Sequence, residues 1–263
     1  MTGKTITITS GKGGVGKTTV TVNLAVGLGL RGKKVVCIDG DIGLRNMDVI
    51  LGLENRIVYD IVDVVEGRCR LKQAMIRDKR LPDLFLVPAS QTRDKNSITP
   101  EAMIRLCEEI KSEFDYVLID SPAGIEQGFK NAIAPADQIF VVTNPEVSAV
   151  RDADRIIGLI EAEEKGPASL IINRINSAMV NRGDMLTQND VNELLAIDLI
   201  GLIPEDENVI ISTNKGSPIA FEGKSKAGRA FLNLAARVEG DMIPFNEIEG
   251  KDNFLEKVRK LFG

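Results

Sequence analysis

The 263-residue chain contains no histidine. The commonest general base and the commonest metal ligand are therefore both missing, so any catalysis must use carboxylates, lysines, backbone amides or a bound cation. Cysteine is scarce: Cys37, Cys69 and Cys107 are odd in number, far apart and never in a CxxC pair. That argues against a disulfide framework or a zinc site and fits three buried small hydrophobes in a reducing cytosol. No apolar run approaches the roughly 20 residues that a bilayer-spanning helix needs. The opening stretch MTGKTITITS reads as a strand without the apolar core of a signal peptide. Repeats and low-complexity tracts are also missing. An excess of acid, with a net charge of −5, argues against general nucleic-acid binding over the whole surface.

What is present is globular: 43% hydrophobic and 27% charged residues, in a length that suits one α/β domain. Apolar, β-branched runs recur as KTITIT, KKVVCID, DLFLVP, DYVLID, QIFVVT, ASLIIN and DLIGLIP. Runs this continuous imply strands buried on both faces, as in a mostly parallel, twisted sheet with helices on either side. Helical spacing is predicted over residues 18–31, 101–113, 148–165 and 187–196. Several strands end in a polar residue or a turn: Asp39 and Asp41, Asp120, Asn173, Pro204. In open α/β sheets ligands bind outside the carboxyl ends of the strands, so these residues are expected to converge. Residues 1–240 thus read as one domain and 241–252, acidic and carrying Pro244 and Gly250, as a linker.

Gly11 to Thr18, GKGGVGKT, satisfies the phosphate-loop pattern and lies between a strand and a helix, the context that gives the pattern its meaning. The amides of Gly11, Lys12, Gly13, Gly14, Val15 and Gly16 would face the phosphates, and the following helix adds its positive end. Lys17 would neutralise the β- and γ-phosphates, the Thr18 hydroxyl would bind Mg²⁺, and Thr19 completes the nucleotide cradle. Lys12 is a cation where the pattern requires none; a solvated surface lysine and a functional one are both open. Asp120, at the end of YVLID, is read as the aspartate that holds Mg²⁺ through water, with a helix-capping role as the alternative. Gly124, just beyond it, would bring an N–H to the γ-phosphate. With no histidine available, Asp41 is the candidate to orient the attacking water. Asp39 either supports the metal shell or bonds its own turn.

The sequence ends in NFLEKVRKLFG. On a helix Phe254, Leu255, Val258, Leu261 and Phe262 form one apolar stripe, with Lys257, Arg259 and Lys260 on the other side. Two aromatics opposite cations suit an anionic membrane interface; docking on the protein's own core is the alternative. Eleven residues are too few for a stable isolated helix, so one tail should bind lipid weakly, and two linked tails ~10²–10⁴-fold better.

The loop KGGVGKTT, followed in order by DGDIGLRNMDVILG, VYDIVDVV, PASQTRDK, DSPAGIE, TNPEVSAVRDADR, RGDM and IPEDENVI, resembles the MinD/ParA family of dimerising ATPases with a deviant Walker A loop, and within it the MinD branch, across essentially the whole chain. The resemblance implies ATP and Mg²⁺ as cofactors, a homodimer in the ATP state, and Lys12 reaching the partner subunit's nucleotide. It implies that Asn173, Pro204, Glu205 and Asp206 frame the adenine. It also implies that a surface including Asp152 and Asp154 meets a division inhibitor of MinC type and an activator of MinE type. Residues 253–263 would then be the membrane-targeting helix of a cytoplasmic protein that visits the inner face of the cell membrane. The family pattern puts a bulkier apolar residue where this chain has Gly40. A flagellar-number or DNA-partitioning ATPase of the same family, or a nucleotide-gated scaffold without turnover, are the alternative functions.

Overall fold

The computed structural model describes residues 3–93 and 97–245. Among them the chain forms eight strands in one sheet: β1 (Lys4–Thr9), β2 (Val35–Asp39), β3 (Ile76–Arg77), β4 (Leu84–Val87), β5 (Tyr116–Asp120), β6 (Gln138–Thr143), β7 (Ala168–Ile175) and β8 (Asp198–Pro204). The helices are α1 (Lys17–Leu30), α2 (Met47–Leu51), α3 (Ile61–Val65), α4 (Leu71–Ala74), α5 (Pro100–Lys111), α6 (Gln127–Ile133), α7 (Val147–Ala162), α8 (Ser177–Arg182), α9 (Gln188–Leu195), α10 (Asn208–Asn214) and α11 (Lys226–Val238).

The sheet order is β3-β4-β2-β5-β1-β6-β7-β8. All neighbours pair in parallel except β3 with β4. All seven apolar runs are parallel strands, and every residue of β2 is buried, as burial on both faces requires. β1 lies between β5 and β6. The chain leaves its carboxyl end towards β2 on one side and later fills the other side with β6, β7 and β8, so the crevice opens at that strand end.

The four predicted helices appear as α1, α5, α7 and α9. Besides the short helices α2, α3, α4, α6, α8 and α10, two features were not anticipated. One is the antiparallel edge strand β3. The other is α11, which starts on a Ser225 cap bonded to the Gly228 amide at 2.9 Å and lays Phe231 and Ala235 against α1 and Leu234 against β8. Gly27 permits this approach, since a Cβ there would sit 2.7 Å from the Ala235 Cβ. Burying Phe231, 1% exposed, contributes ~1.5–3 kcal/mol.

Residues 241–245, assigned above to the linker, pack on α11. Arg237 donates to the carbonyls of Ile243 (2.9 Å) and Pro244 (3.1 Å) and stacks 3.8 Å over the Phe245 ring, while Asp241 pairs with Arg31 at 2.8 Å. The remainder of the linker and the segment 253–263, with Phe254, Leu255, Lys257, Val258, Arg259, Lys260, Leu261 and Phe262, lie outside the described residues. Among those described, no helix is long and apolar enough to cross a membrane.

Candidate functional site

The loop between β1 and α1 owes its shape to glycine. Gly14 and Gly16 have φ of 79° and 97°, which side chains rarely tolerate. A Cβ on Gly16 would also collide with the Asn173 side-chain amide, and one on Gly11 with the Asp152 carbonyl oxygen. Asn173 Nδ2 donates to the Val15 carbonyl at 2.7 Å, tying β7 to the loop. α1 begins without a side-chain cap and without an acid in its first turn. Its leading amides are therefore left for an anion, and Gly13 and Gly14 stand exposed beside them.

Lys17 is nearly buried, 8% exposed, and its Nζ donates to Ser10 Oγ at 3.0 Å. Burial pulls the ammonium's pKa down, against the opposing fields of Asp120 and Asp41. Ser10 in turn donates to the Lys12 carbonyl at 2.8 Å. Ser10 was not anticipated, although its place between strand and loop is the signal.

Thr18 Oγ1 donates to Asp120 Oδ2 at 2.6 Å, while Asp120 Oδ1 is buried with no hydrogen-bond partner among the described residues. An orphaned carboxylate oxygen beside the loop threonine fits a hydrated Mg²⁺, with phosphates completing the shell. The described residues contain no cluster of three or more Cys, Asp or Glu able to hold a metal without such help. Burial, then the neighbouring Asp39, pushes the Asp120 carboxyl up to about 8.

Asp39 takes up the second of its two expected roles and bonds its own turn. Its Oδ1 accepts from the Asp41 amide (3.1 Å) and its Oδ2 from those of Asn46 (3.1 Å) and Met47 (3.2 Å). Both oxygens accept from backbone amides, so Asp39 clamps the 40–46 loop. Burial nevertheless raises its carboxyl to about 6, against the pull of those three amides. Gly40 is where the chain departs from the family pattern. Its amide donates to the Asp120 carbonyl at 2.9 Å, and a Cβ would lie 2.7 Å from that oxygen, so this loop has no room for a bulkier residue. Asp41 is half-buried, within electrostatic range of both Lys17 and Asp120. Gly124, with φ of 92°, lies in the bend between β5 and α6.

A cavity of about 320 Å³ is lined by Thr19, Asn173, Pro204, Glu205 and Asp206, and by Arg174, which was not anticipated. The β7–β8 register shifts between Ile172 and Ile175, and Arg174 has φ of 57°. This bulge re-aims two consecutive side chains at the cavity. Lys12, 44% exposed, lies on the other side of the loop, donating to Ser148 Oγ at 3.2 Å and 3.8 Å from Glu146. Asp152 (half-buried) and Asp154 (exposed) are on α7, whose backbone at Asp152 lies against Gly11 of the loop.

An uncapped helix behind a glycine loop, at the switch point of a parallel sheet, defines a phosphate-loop nucleoside triphosphatase. Residues 3–170 match the family model described as an AAA domain. The chain is 51% identical to the septum site-determining protein MinD of Bacillus subtilis (strain 168) over 264 residues, 99% of this chain and 98% of that protein. Among solved structures it resembles the MinC:MinD cell division protein complex of Aquifex aeolicus (49% identity, TM-score 0.88, 93% of this chain and 99% of that one). It also resembles the MinD of Pyrococcus horikoshii complexed with Mg-ADP (29% identity, TM-score 0.81, 90% and 96%). The chain belongs to the MinD family of septum site-determining ATPases.

Proposed function

We propose that the protein is a Mg²⁺-dependent ATPase whose nucleotide state decides whether two subunits associate and hold a membrane. The observation that carries this reading is the Thr18–Asp120 pair with its orphaned oxygen beside an uncapped helix. Bound Mg²⁺ supplies charge neutralisation of the β- and γ-phosphates and orientation of the γ-phosphate. The chain does the rest. Loop amides and Lys17 hold the phosphates, Asn173 and residues 204–206 hold the base, and Asp41 orients the water. Lys12 is exposed on the loop rim and, among the described residues, held by a hydroxyl and a distant carboxylate. An exposed pair of that kind is worth little, ~0–1 kcal/mol, so the lysine is free to cross to a second subunit and stabilise developing charge there.

In this reading residues 253–263 attach to the anionic inner face of the cell membrane. A single tail holds weakly because ordering costs ~1–2 kcal/mol per residue and each cation returns only ~1 kcal/mol. The ATP-bound pair presents two tails, recruits an inhibitor of MinC type through a surface that includes Asp152 and Asp154, and is released when an activator of MinE type stimulates hydrolysis. Sedimentation with anionic vesicles in ATP, in ADP, and for Lys12→Ala in ATP tests the cycle. The wild type should sediment in ATP and not in ADP, and the variant should fail to sediment in ATP; equal binding in all three arms rejects it. Deleting 253–263 should abolish vesicle binding while leaving nucleotide affinity unchanged.

A further inference from the structure

Two loops frame the candidate site: 40–46, which carries Asp41, and 204–207 at the base cavity. Each runs directly into a short helix, the first into α2 and the second into α10, and these two helices pack on each other. At the seam two glycine backbones meet. Gly52 and Gly216 have φ of 66° and 60°, and a Cβ on Gly216 would lie 2.8 Å from the Gly52 Cα.

Arg80, in the turn between β3 and β4, spans that seam. Its Nη2 donates to the Leu51 carbonyl at 2.8 Å and its Nη1 to the Gly216 carbonyl at 3.0 Å. Leu51 is the last residue of α2, where carbonyls lack helical partners and a cation is favoured. The same guanidinium is fixed from behind. Nη2 and Nε reach Asp78 at 2.9 and 3.3 Å, the Asp78 side chain is 1% exposed, and the Phe221 ring lies 4.6 Å beneath the guanidinium.

The far ends of the two helices are held as well. Asp39 receives the Asn46 and Met47 amides before α2. Asp206 receives the Asn208 amide at 3.0 Å before α10 and the Ala227 amide at 3.1 Å. A continuous path therefore runs from Asp39 through α2, Arg80 and α10 to Asp206.

We propose that Arg80 is a positioning residue that locks the loop carrying Asp41 to the loop at the base cavity, so that the two shift as one unit. The proposal rests on the reading of those loops as the hydrolysis and base loops. A planar fork is required: one guanidinium serves two carbonyls, a carboxylate and a ring at once, whereas a lysine ammonium has no such geometry.

The test compares full-length wild type, Arg80→Lys and Gly216→Ala. It uses ATP turnover with Mg²⁺, affinity for a fluorescent ADP analogue, and amide hydrogen exchange. For Arg80→Lys kcat should fall about ten- to hundredfold, as for a catalytic group displaced by about an ångström. ADP affinity, held mainly by the phosphate loop, should fall about threefold or less on the same reasoning. Exchange should accelerate together in 40–51 and 204–216 in both variants. Acceleration confined to 77–82, or unchanged turnover in a variant of lowered Tm, overturns the proposal and leaves Arg80 a local staple. If the wild type itself proves unable to turn over ATP, the ATPase reading fails, and the exchange pattern alone still decides what Arg80 does.

Discussion

Gly11 rests on the backbone of α7 at Asp152, so closely that any β-carbon at position 11 would overlap the Asp152 carbonyl oxygen and lie 2.8 Å from the Asp152 Cβ. The first residue of the phosphate loop and the helix bearing the candidate partner surface are thus in direct contact, with no side chain between them. A partner that shifts α7 has a short mechanical route to the phosphates. Gly11→Ala should force the loop and helix apart, costing ~1–3 kcal/mol as an overpacking change. Thermal unfolding with an ADP titration checks this. A lower Tm with ADP affinity reduced about tenfold is the expected pair of results, and unchanged affinity would mean the contact is not transmitted to the phosphates.

Asp120 should make the nucleotide-free protein less stable as the pH rises. Its carboxyl sits near 8 in the folded chain against 3.8 ordinarily, because of burial and then Asp39. The folded state therefore binds the proton more tightly than the unfolded state does. The stabilisation from that proton is complete below about pH 4 and is lost as the pH climbs through about 8. Asp120→Asn removes the titration. Urea unfolding from pH 5 to 8 should show the variant gaining on the wild type by about 1 kcal/mol or more across that range, with turnover falling about 10²–10³-fold. A stability difference that stays flat with pH would contradict the raised carboxyl.

The same carboxyl gives nucleotide binding a proton signature. Holding hydrated Mg²⁺ favours the ionised form, so loading Mg-ADP between pH 6 and 8 should release a proton. Affinity should rise with pH by up to about tenfold per unit over that window. Calorimetry in two buffers of different ionisation enthalpy measures the release directly. It should disappear in Asp120→Asn, and it should be much smaller for ADP without Mg²⁺.

What could be read from the sequence was what is local. The strands showed because burial on both faces makes them continuous apolar runs, and the phosphate loop showed because its eight residues carry their own backbone requirements. Asp39 was ambiguous because its partners, the amides of Asn46 and Met47, depend on how a loop folds back. The apolar positions of α11 at 227, 231, 234 and 235 have helical spacing, but a run of short turns precedes them and hides the pattern. Arg80 could not have been found at all: it collects partners from positions 51, 78, 216 and 221, which only the tertiary fold brings together.

Gly40 offers a direct trial of the switch loop, because the family pattern and this structure disagree there. The pattern places a bulky apolar residue between the two aspartates. Here the Gly40 amide is bonded to the Asp120 carbonyl, and a Cβ would press to 2.7 Å from the same oxygen. That oxygen belongs to the end of a central strand, so the strand cannot yield and the loop must. Moving the loop breaks the 2.9 Å Gly40–Asp120 bond and pulls on the Asp39–Asp41 contact one residue away. Gly40→Ala should therefore cost ~1–3 kcal/mol and lower kcat more than it lowers nucleotide affinity, since Asp41 is displaced while Lys17 and Thr18 are untouched. Unfolding curves with steady-state kinetics on the single variant decide it. If Gly40→Ala is as stable and as active as the wild type, the loop accommodates side chains by another path, and the close contact with Asp120 does not set the position of Asp41.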